Sequence, residues 1–420
     1  PLVSFVHLTD VHIIDAQSPE RIPFARKFGV PYRTDYRNQD ALTLHVADSM
    51  VQQINALEGG PITREPLAFA VSTGDNGDGR QMNELQNYVN VLDGGLVTTD
   101  SSGEGYVGVQ DSFVLPGHEA LYDQYYHPDP PPTGVEADRF KREYGFPEYP
   151  GLLEAATTNF EATGLDIPWY SAHGNHDSAV FGYFRAVEED LELYWDPVGT
   201  GQIPDYGSQM FLDVPDGMDI EAFEGCLGSP TEACVTQIYT GTVKRPVPAN
   251  PQRAQYLTEG FLQMHLNSPA SPGPVGHGFS EDNLVNSTLY YTFTMSPEIV
   301  GIMLDTVNQS GKDSGSIGTI QADWLESQLQ AYSSQYLDTS QQITTTANAD
   351  RLVVLFSHHN LLTLDHDTSL PGDPDPDKVL ADEIEQLLLR YPNVSLWING
   401  HSHVNRVWPH RSFRSTAPLR

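Results

Sequence analysis

Five short segments of this chain carry side chains suited to binding metal ions. They are Thr9-Asp10-Val11-His12, Gly74-Asp75-Asn76-Gly77-Asp78, Gly174-Asn175-His176-Asp177, Ser357-His358-His359 and Gly400-His401-Ser402-His403. Imidazole and carboxylate suit zinc, iron and manganese. Asn175 is a weak neutral ligand, reasonable as one member of a larger shell. A lone DxH or HxH is more often structural, but five such segments together predict a two-metal centre. Two metals about 3.5–4 Å apart can clamp the attacking and leaving oxygens of an in-line displacement, with a bridging water deprotonated near neutral pH. Two divalent ions bring four positive charges. Asp10, Asp75 and a hydroxide remove three, so about one remains to receive an anion.

The segments share a position: each follows a short apolar run that reads as a strand. Residues 2–9, 67–73, 167–172, 351–357 and 394–399 are such runs, and each delivers one segment at its C-terminal end. Ligands of open α/β sheets collect at that edge. The glycines before Asp75, Asn175 and His401 allow a sharp turn from strand to loop. Further strands are expected at 289–294 and 298–305, and helices at 39–57, after Asp78, at 319–333 and at 379–391. The first helix has Ala41, Leu44, Val46, Val51, Ile54 and Leu57 at helical spacing. The second is expected to start with Asp78 near its N-cap and to bury Met82, Leu85, Tyr88, Val89 and Leu92. Strands alternating with helices predict an α/β class. Residues 93–165 and 178–288 break the rhythm and read as insertions around the mouth of the site, within a single domain over 1–420.

The blocks DxH, GDxx(D), GNH(D/E), strand-then-His and GHxH, running from residue 10 to residue 403, resemble the calcineurin-like metallophosphoesterase superfamily. The resemblance implies a four-layer α-β-β-α sandwich of two mixed sheets, and hydrolysis of a phosphodiester or phosphomonoester. It implies that Asp10, His12, Asp75 and His403 bind one metal (Mn, Fe or Zn). Asp75 would bridge to a second, held also by Asn175, His358 and His401. His176 would contact the phosphate or protonate the leaving group, with Asp177 orienting it and keeping it charged. His359, adjacent to His358, competes with it as ligand or faces substrate. The stretches TDVHIIDAQSPER, STGDNGDGRQMNELQNYVNVLDGG and PWYSAHGNHD are similar to a narrower, exported bacterial subgroup that often carries twin-arginine signals. Export, with a signal peptide not present in this chain, is therefore expected. Purple acid phosphatases carry Tyr where this chain has Asp78, so a tyrosinate–iron pair is not expected. Only 17 residues follow His403, so an incomplete C-terminal edge is expected. The rival reading is a catalytically silent metal-binding scaffold or surface protein of the same fold.

Composition narrows the partners. A net charge of −34, with lysine only at Lys27, Lys141, Lys244, Lys312 and Lys378, argues against a nucleic-acid or anionic-membrane surface. No apolar run is long enough to span a membrane. Cys226 and Cys234 lie in GCLGSPTEAC, which reads as a loop. They are either free thiols or a local disulfide, and a disulfide implies an oxidising compartment. Asp373, Asp375 and Asp377 alternate in a calcium-like spacing without the Gly and Glu of an EF-hand, so a solvated loop is the alternative to a Ca site. Tyr122, Tyr125, Tyr126 and His127 could cap a substrate or simply pack a loop. His7 is expected in the core or just behind the ligands, and His173 could line the pocket.

Overall fold

The computed structural model describes residues 2–29, 36–184, 188–215, 217–241, 243–269 and 271–410. It is a mixed α/β protein whose main elements follow the expected order. They are β1 (Val6–Leu8), α1 (Thr43–Asn55), β2 (Ala70–Ser72), α2 (Met82–Asp93), β3 (Trp169–Ser171), α3 (Ile220–Gly228), α4 (Glu232–Gly241) and α5 (Thr258–Leu266). Then come β4 (Tyr291–Ser296), β5 (Ile299–Met303), α6 (Thr319–Ala331), β6 (Leu352–Ser357), α7 (Ala381–Leu388) and β7 (Val394–Asn399).

Strands β1-β2-β3 form one parallel sheet, in that order. Strands β7-β6-β5-β4 form the second, parallel except for the antiparallel β4–β5 pair. Ring contacts join the sheets: Phe5 lies 5.9 Å from Phe356, and Tyr170 4.1 Å from Phe293. The same apolar cluster takes in Leu44, Val51 and Ile54 of α1 and Leu85, Tyr88 and Leu92 of α2. On the other face of the second sheet, Val300, Ile302 and Leu355 pack with Leu325 and Leu329 of α6 and Ile384 of α7. Every parallel strand therefore ends toward the same edge of its own sheet, where the loops can meet. Four two-stranded pairs complete the strands seen among the described residues.

Two local expectations are corrected. In α1 the buried face is Leu44, Ala47, Val51 and Ile54, a helical stripe, while Val46 and Leu57 are 58% and 50% exposed. Helix α2 begins after Gln81, not at Asp78. Glu84 holds that first turn by accepting from the Gly79 and Gln81 N–H groups, at 2.7 and 3.4 Å. Asp78 is drawn away into a buried ion pair described below.

The region 178–288 is more structured than expected. Cys226 and Cys234 form a disulfide, and they sit on α3 and α4 rather than in a loop. Around them Phe24, Val180, Phe184, Trp195, Phe211, Phe223 and Leu227 make a separate apolar core. Large aromatics spaced irregularly gave no periodic signal for it. In 93–165, Gly95–Val97 pairs with Phe160–Ala162 and returns the chain to the end of α2, where Leu165 N–H donates to Leu92 O. Tyr122 stacks flat on His127 at 3.8 Å within this loop, while Tyr125 meets Tyr36 edge-on and packs in one apolar cluster with Met210 and Leu212. Among the described residues no helix is long and apolar enough to cross a membrane. Residues 411–420, most of the C-terminal edge in question, lie outside the described residues.

Candidate metal centre

The backbone ladders continue past the strand ends and fix the loops. Asp10 N–H donates to Gly74 O at 3.1 Å, His12 N–H to Asp75 O at 3.0 Å, and Gly400 N–H to His358 O at 3.0 Å. The loops then turn hard. Asp10, His12, Asp75, His401 and His403 all have φ between 46° and 69°. L-residues adopt that left-handed region rarely, and such residues gather at functional sites. Five of the seven expected ligands are held this way. Two glycines permit the close approach: a Cβ on Gly174 would collide with Asp75, and one on Gly400 with Thr9 and Asp10.

All seven expected ligands converge. Asp75 Oδ2 lies 3.7 Å from His12 Nε2 and 3.2 Å from His358 Nε2. His358 Nε2 lies 2.8 Å from Asn175 Oδ1 and 3.2 Å from His401 Nδ1. His403 Nε2 lies 3.1 Å from Asp10 Oδ1. Donors about 2.1 Å from one ion, at right or tetrahedral angles, stand roughly 3.0–3.4 Å apart, so these spacings suit coordination shells. Asp10 with His12 and His403, and Asp10 with Asp75 and His358, each bring one ligand atom apiece within 4.8 Å of one another. His12 Nε2 is buried with no hydrogen-bond partner. The donor set fits a pair of cations, with Asp75 between the two groups.

Hydrogen bonds orient the ligands. His358 places Nδ1 2.9 Å from Thr73 O, which leaves Nε2 facing Asp75 and Asn175. His401 N–H donates to both carboxylate oxygens of Asp10 at 3.1 Å, tying the second sheet to the first. Burial opposes charge on Asp75, yet the surrounding imidazoles hold its carboxyl well below the usual range. Burial likewise opposes charge on His358, but Asp75 and Asp10 raise its pKa to about 9. Burial, with His358 adding, pushes His401 down to about 4. The carboxylates thus draw positive charge toward His358, while the His401 ring beside it is kept neutral.

His359, the competitor of His358, lies at the same centre. Its Nδ1 lies 3.1 Å from Thr306 Oγ1, while its buried Nε2 has no hydrogen-bond partner. It still forms a group with His358 and His401, so it stands beside the second ligand set. His7 is exposed on β1 rather than placed in the core, with Nε2 2.9 Å from Thr73 Oγ1. His173 is buried against Phe261, with Asp305 Oδ1 3.8 Å away.

The expected His176–Asp177 pair is corrected. Asp177 does not hold the His176 ring. Its carboxylate accepts from the backbone N–H groups of Asn76, Gly77 and Gly174 at 3.2, 3.2 and 2.9 Å, and from Tyr256 Oη at 3.4 Å. It is a brace between two ligand loops, the use three crowded N–H donors demand of the nearest carboxylate. His176 instead puts Nδ1 2.9 Å from Asp78 O. Its pKa is lowered by burial, not raised as expected. The ring keeps 20% of its surface open, enough to meet a ligand.

Asp78 takes the orienting role. Oδ1 lies 3.0 Å from His12 Nδ1, and its two oxygens accept from Arg21 at 2.7 Å and Arg37 at 2.6 Å. Burial opposes its charge, but Arg37 and Arg21 hold it well below the usual carboxylate range. A carboxylate on the far nitrogen of a ligating histidine fixes its tautomer and strengthens it as a ligand. The GDxxD spacing pointed to Asp78 without revealing this use, and nothing in the sequence pointed to Arg21 or Arg37.

The acidic loop spends its carboxylates on the protein. Asp375 accepts from Ile320 N–H at 2.9 Å and Thr319 Oγ1 at 3.1 Å, capping α6, and Asp373 pairs with Lys378 at 2.8 Å. The local competition of an open helix end and a lysine explains why the calcium-like spacing builds no ligand cluster here.

No protein-family model matches this chain, and no curated protein matches it significantly.

Proposed function

We propose that this chain is a metal-dependent hydrolase of phosphodiesters or phosphomonoesters, with the architecture of a four-layer α-β-β-α metallophosphoesterase sandwich. The shared core between the two sheets, with α1 and α2 on one side and α6 and α7 on the other, supports that architecture. The function rests on one observation above all: Asp75 stands between His12 and His358, joining donors from both sheets into one continuous set.

Asp10, His12, Asp75 and His403 would hold one metal ion, and Asp75, Asn175, His358 and His401 the other; Mn, Fe and Zn all suit these donors. Such ions, when bound, polarise a phosphoryl oxygen and activate water as nucleophile. The chain's own groups prepare the place. Asp78 keeps the His12 ring in one orientation. His176, fixed through Nδ1 on the Asp78 carbonyl, keeps Nε2 for a phosphoryl or leaving-group oxygen. Asp177 holds the Asn76 and Gly174 loops together, which keeps Asp75 and Asn175 in register. The Cys226–Cys234 disulfide suits an exported protein.

The test is metal analysis joined to turnover of paired nitrophenyl phosphate mono- and diesters. Cleavage of at least one, abolished in Asp75→Ala together with metal uptake, is expected. A protein that carries two equivalents of metal and cleaves neither is a scaffold, and the proposal fails.

A further inference from the structure

Asn175 can serve the centre only if its amide points one way: Oδ1 to the ligand set, Nδ2 elsewhere. The group that receives Nδ2 comes from the chain seven residues on. Asn175 Nδ2 donates to Gly182 O at 3.1 Å, while Oδ1 faces His358 Nε2 at 2.8 Å. Gly182 sits in a tight turn closed by mutual bonds between Val180 and Phe184, at 2.9 and 3.0 Å. Two successive residues of the turn are left-handed, Phe181 at φ 54° and Gly182 at φ 66°. Phenylalanine has no local reason to adopt that conformation, so the surroundings must impose it. A Cβ on Gly182 would run into both the His176 ring and Asn175 Nδ2.

The same turn reaches the other half of the site. The Arg21 guanidinium lies 5.6 Å from the centre of the Phe181 ring, and Arg21 holds Asp78, which faces His12. Val180 and Phe184 are themselves members of the apolar core that contains the disulfide helices. The insertion thus anchors the turn, and the turn touches Asn175, His176 and Arg21.

We propose that Gly182 is a positioning residue. Its carbonyl sets the Asn175 amide so that Oδ1 is presented as a ligand, and its missing side chain gives the His176 ring its place. The second insertion is then part of the apparatus that forms the site, beyond any role at its mouth. This rests on the reading of Asn175 as a metal ligand.

Mn(II) binding by calorimetry tests it without relying on turnover. Wild-type protein is expected to bind two equivalents, and Gly182→Ala to bind one of them roughly 10–100-fold more weakly, the size typical of groups that orient a ligand. In an Asn175→Ala background, Gly182→Ala should weaken Mn(II) little further, because the interaction it acts through is already gone. Additive losses, or unchanged binding in Gly182→Ala, overturn the proposal and leave the site reading intact. No Mn(II) binding by the wild type overturns the site reading itself. Should Gly182→Ala fail to fold, selectively labelled wild-type protein decides by NMR. Slow exchange of the Asn175 side-chain amide protons supports the contact, and exchange at the rate of a free amide overturns it.

Discussion

His12 Nδ1 lies 3.0 Å from Asp78 Oδ1, and that carboxylate is gripped by Arg21 and Arg37. The relationship makes Asp78 a support for one ligand set while keeping it out of the set. The arginines cancel its charge, so it can sit beside Asp75 in a buried place without adding to the negative cluster. Replacing Asp78 by Asn should then do two things. Metal affinity should fall roughly 10–100-fold. Stability should fall by about 1–3 kcal/mol, because the buried Arg21 and half-buried Arg37 each lose one carboxylate partner while keeping Asp40. Urea unfolding and metal titration of the same variant measure both.

His176→Ala separates chemistry from metal binding. The ring sets Nδ1 on the Asp78 carbonyl and packs edge-on against His12 at 4.6 Å, so it borders the seven expected ligands without belonging to that set. Metal content should be unchanged while kcat falls roughly 10²–10⁴-fold, the range of a general acid–base group. Loss of metal in this variant would assign His176 to the shell.

Asp177→Ala is expected to be a folding lesion first. It strands the N–H groups of Asn76, Gly77 and Gly174. Each buried donor left without an acceptor costs about 1–3 kcal/mol. Thermal unfolding should show a large loss. If stability is retained and only the pH profile of turnover moves, Asp177 acts on His176 after all.

His265 predicts an acid sensitivity of the fold itself. It is fully buried, with Nδ1 2.9 Å from Phe261 O and Nε2 3.0 Å from Ser171 Oγ. Burial, with His277 adding, lowers its pKa from 6.5 to about 3. The fold therefore favours the neutral ring. Its contribution is complete above pH about 6.5 and is lost as the pH falls toward about 3, since the unfolded chain takes up the proton first. Between pH 6.5 and 4.5 the loss should be roughly 2–3 kcal/mol. Urea unfolding with chelator present, compared with His265→Gln, isolates it: the gap between the two proteins should narrow on acidification.

The ligand loops were legible because they obey local rules. A short apolar run followed by a polar donor, with a glycine between at Gly74, Gly174 and Gly400, marks the end of each of these parallel strands, and the five ends lie at the C-terminal edges of two sheets. Helices α2, α6 and α7 were legible for the same reason, since their apolar spacing repeats. What Asp78 and Asp177 do was not legible. Asp78 stands 57 residues from Arg21, and Asp177 stands 101 residues from Asn76. Adjacent residues such as His176 and Asp177 look like partners in a sequence, but backbone donors from another loop claimed the carboxylate first. The core of the second insertion was hidden likewise, because aromatic residues at irregular spacing show no period until the chain folds. Sequence by itself determined which side chains arrive at the centre and from which strand ends, because strand and turn chemistry act over a few residues. Tertiary structure alone decided how those side chains are turned and held, because that depends on hydrogen bonds and charges between residues that only folding brings within 3 Å or so.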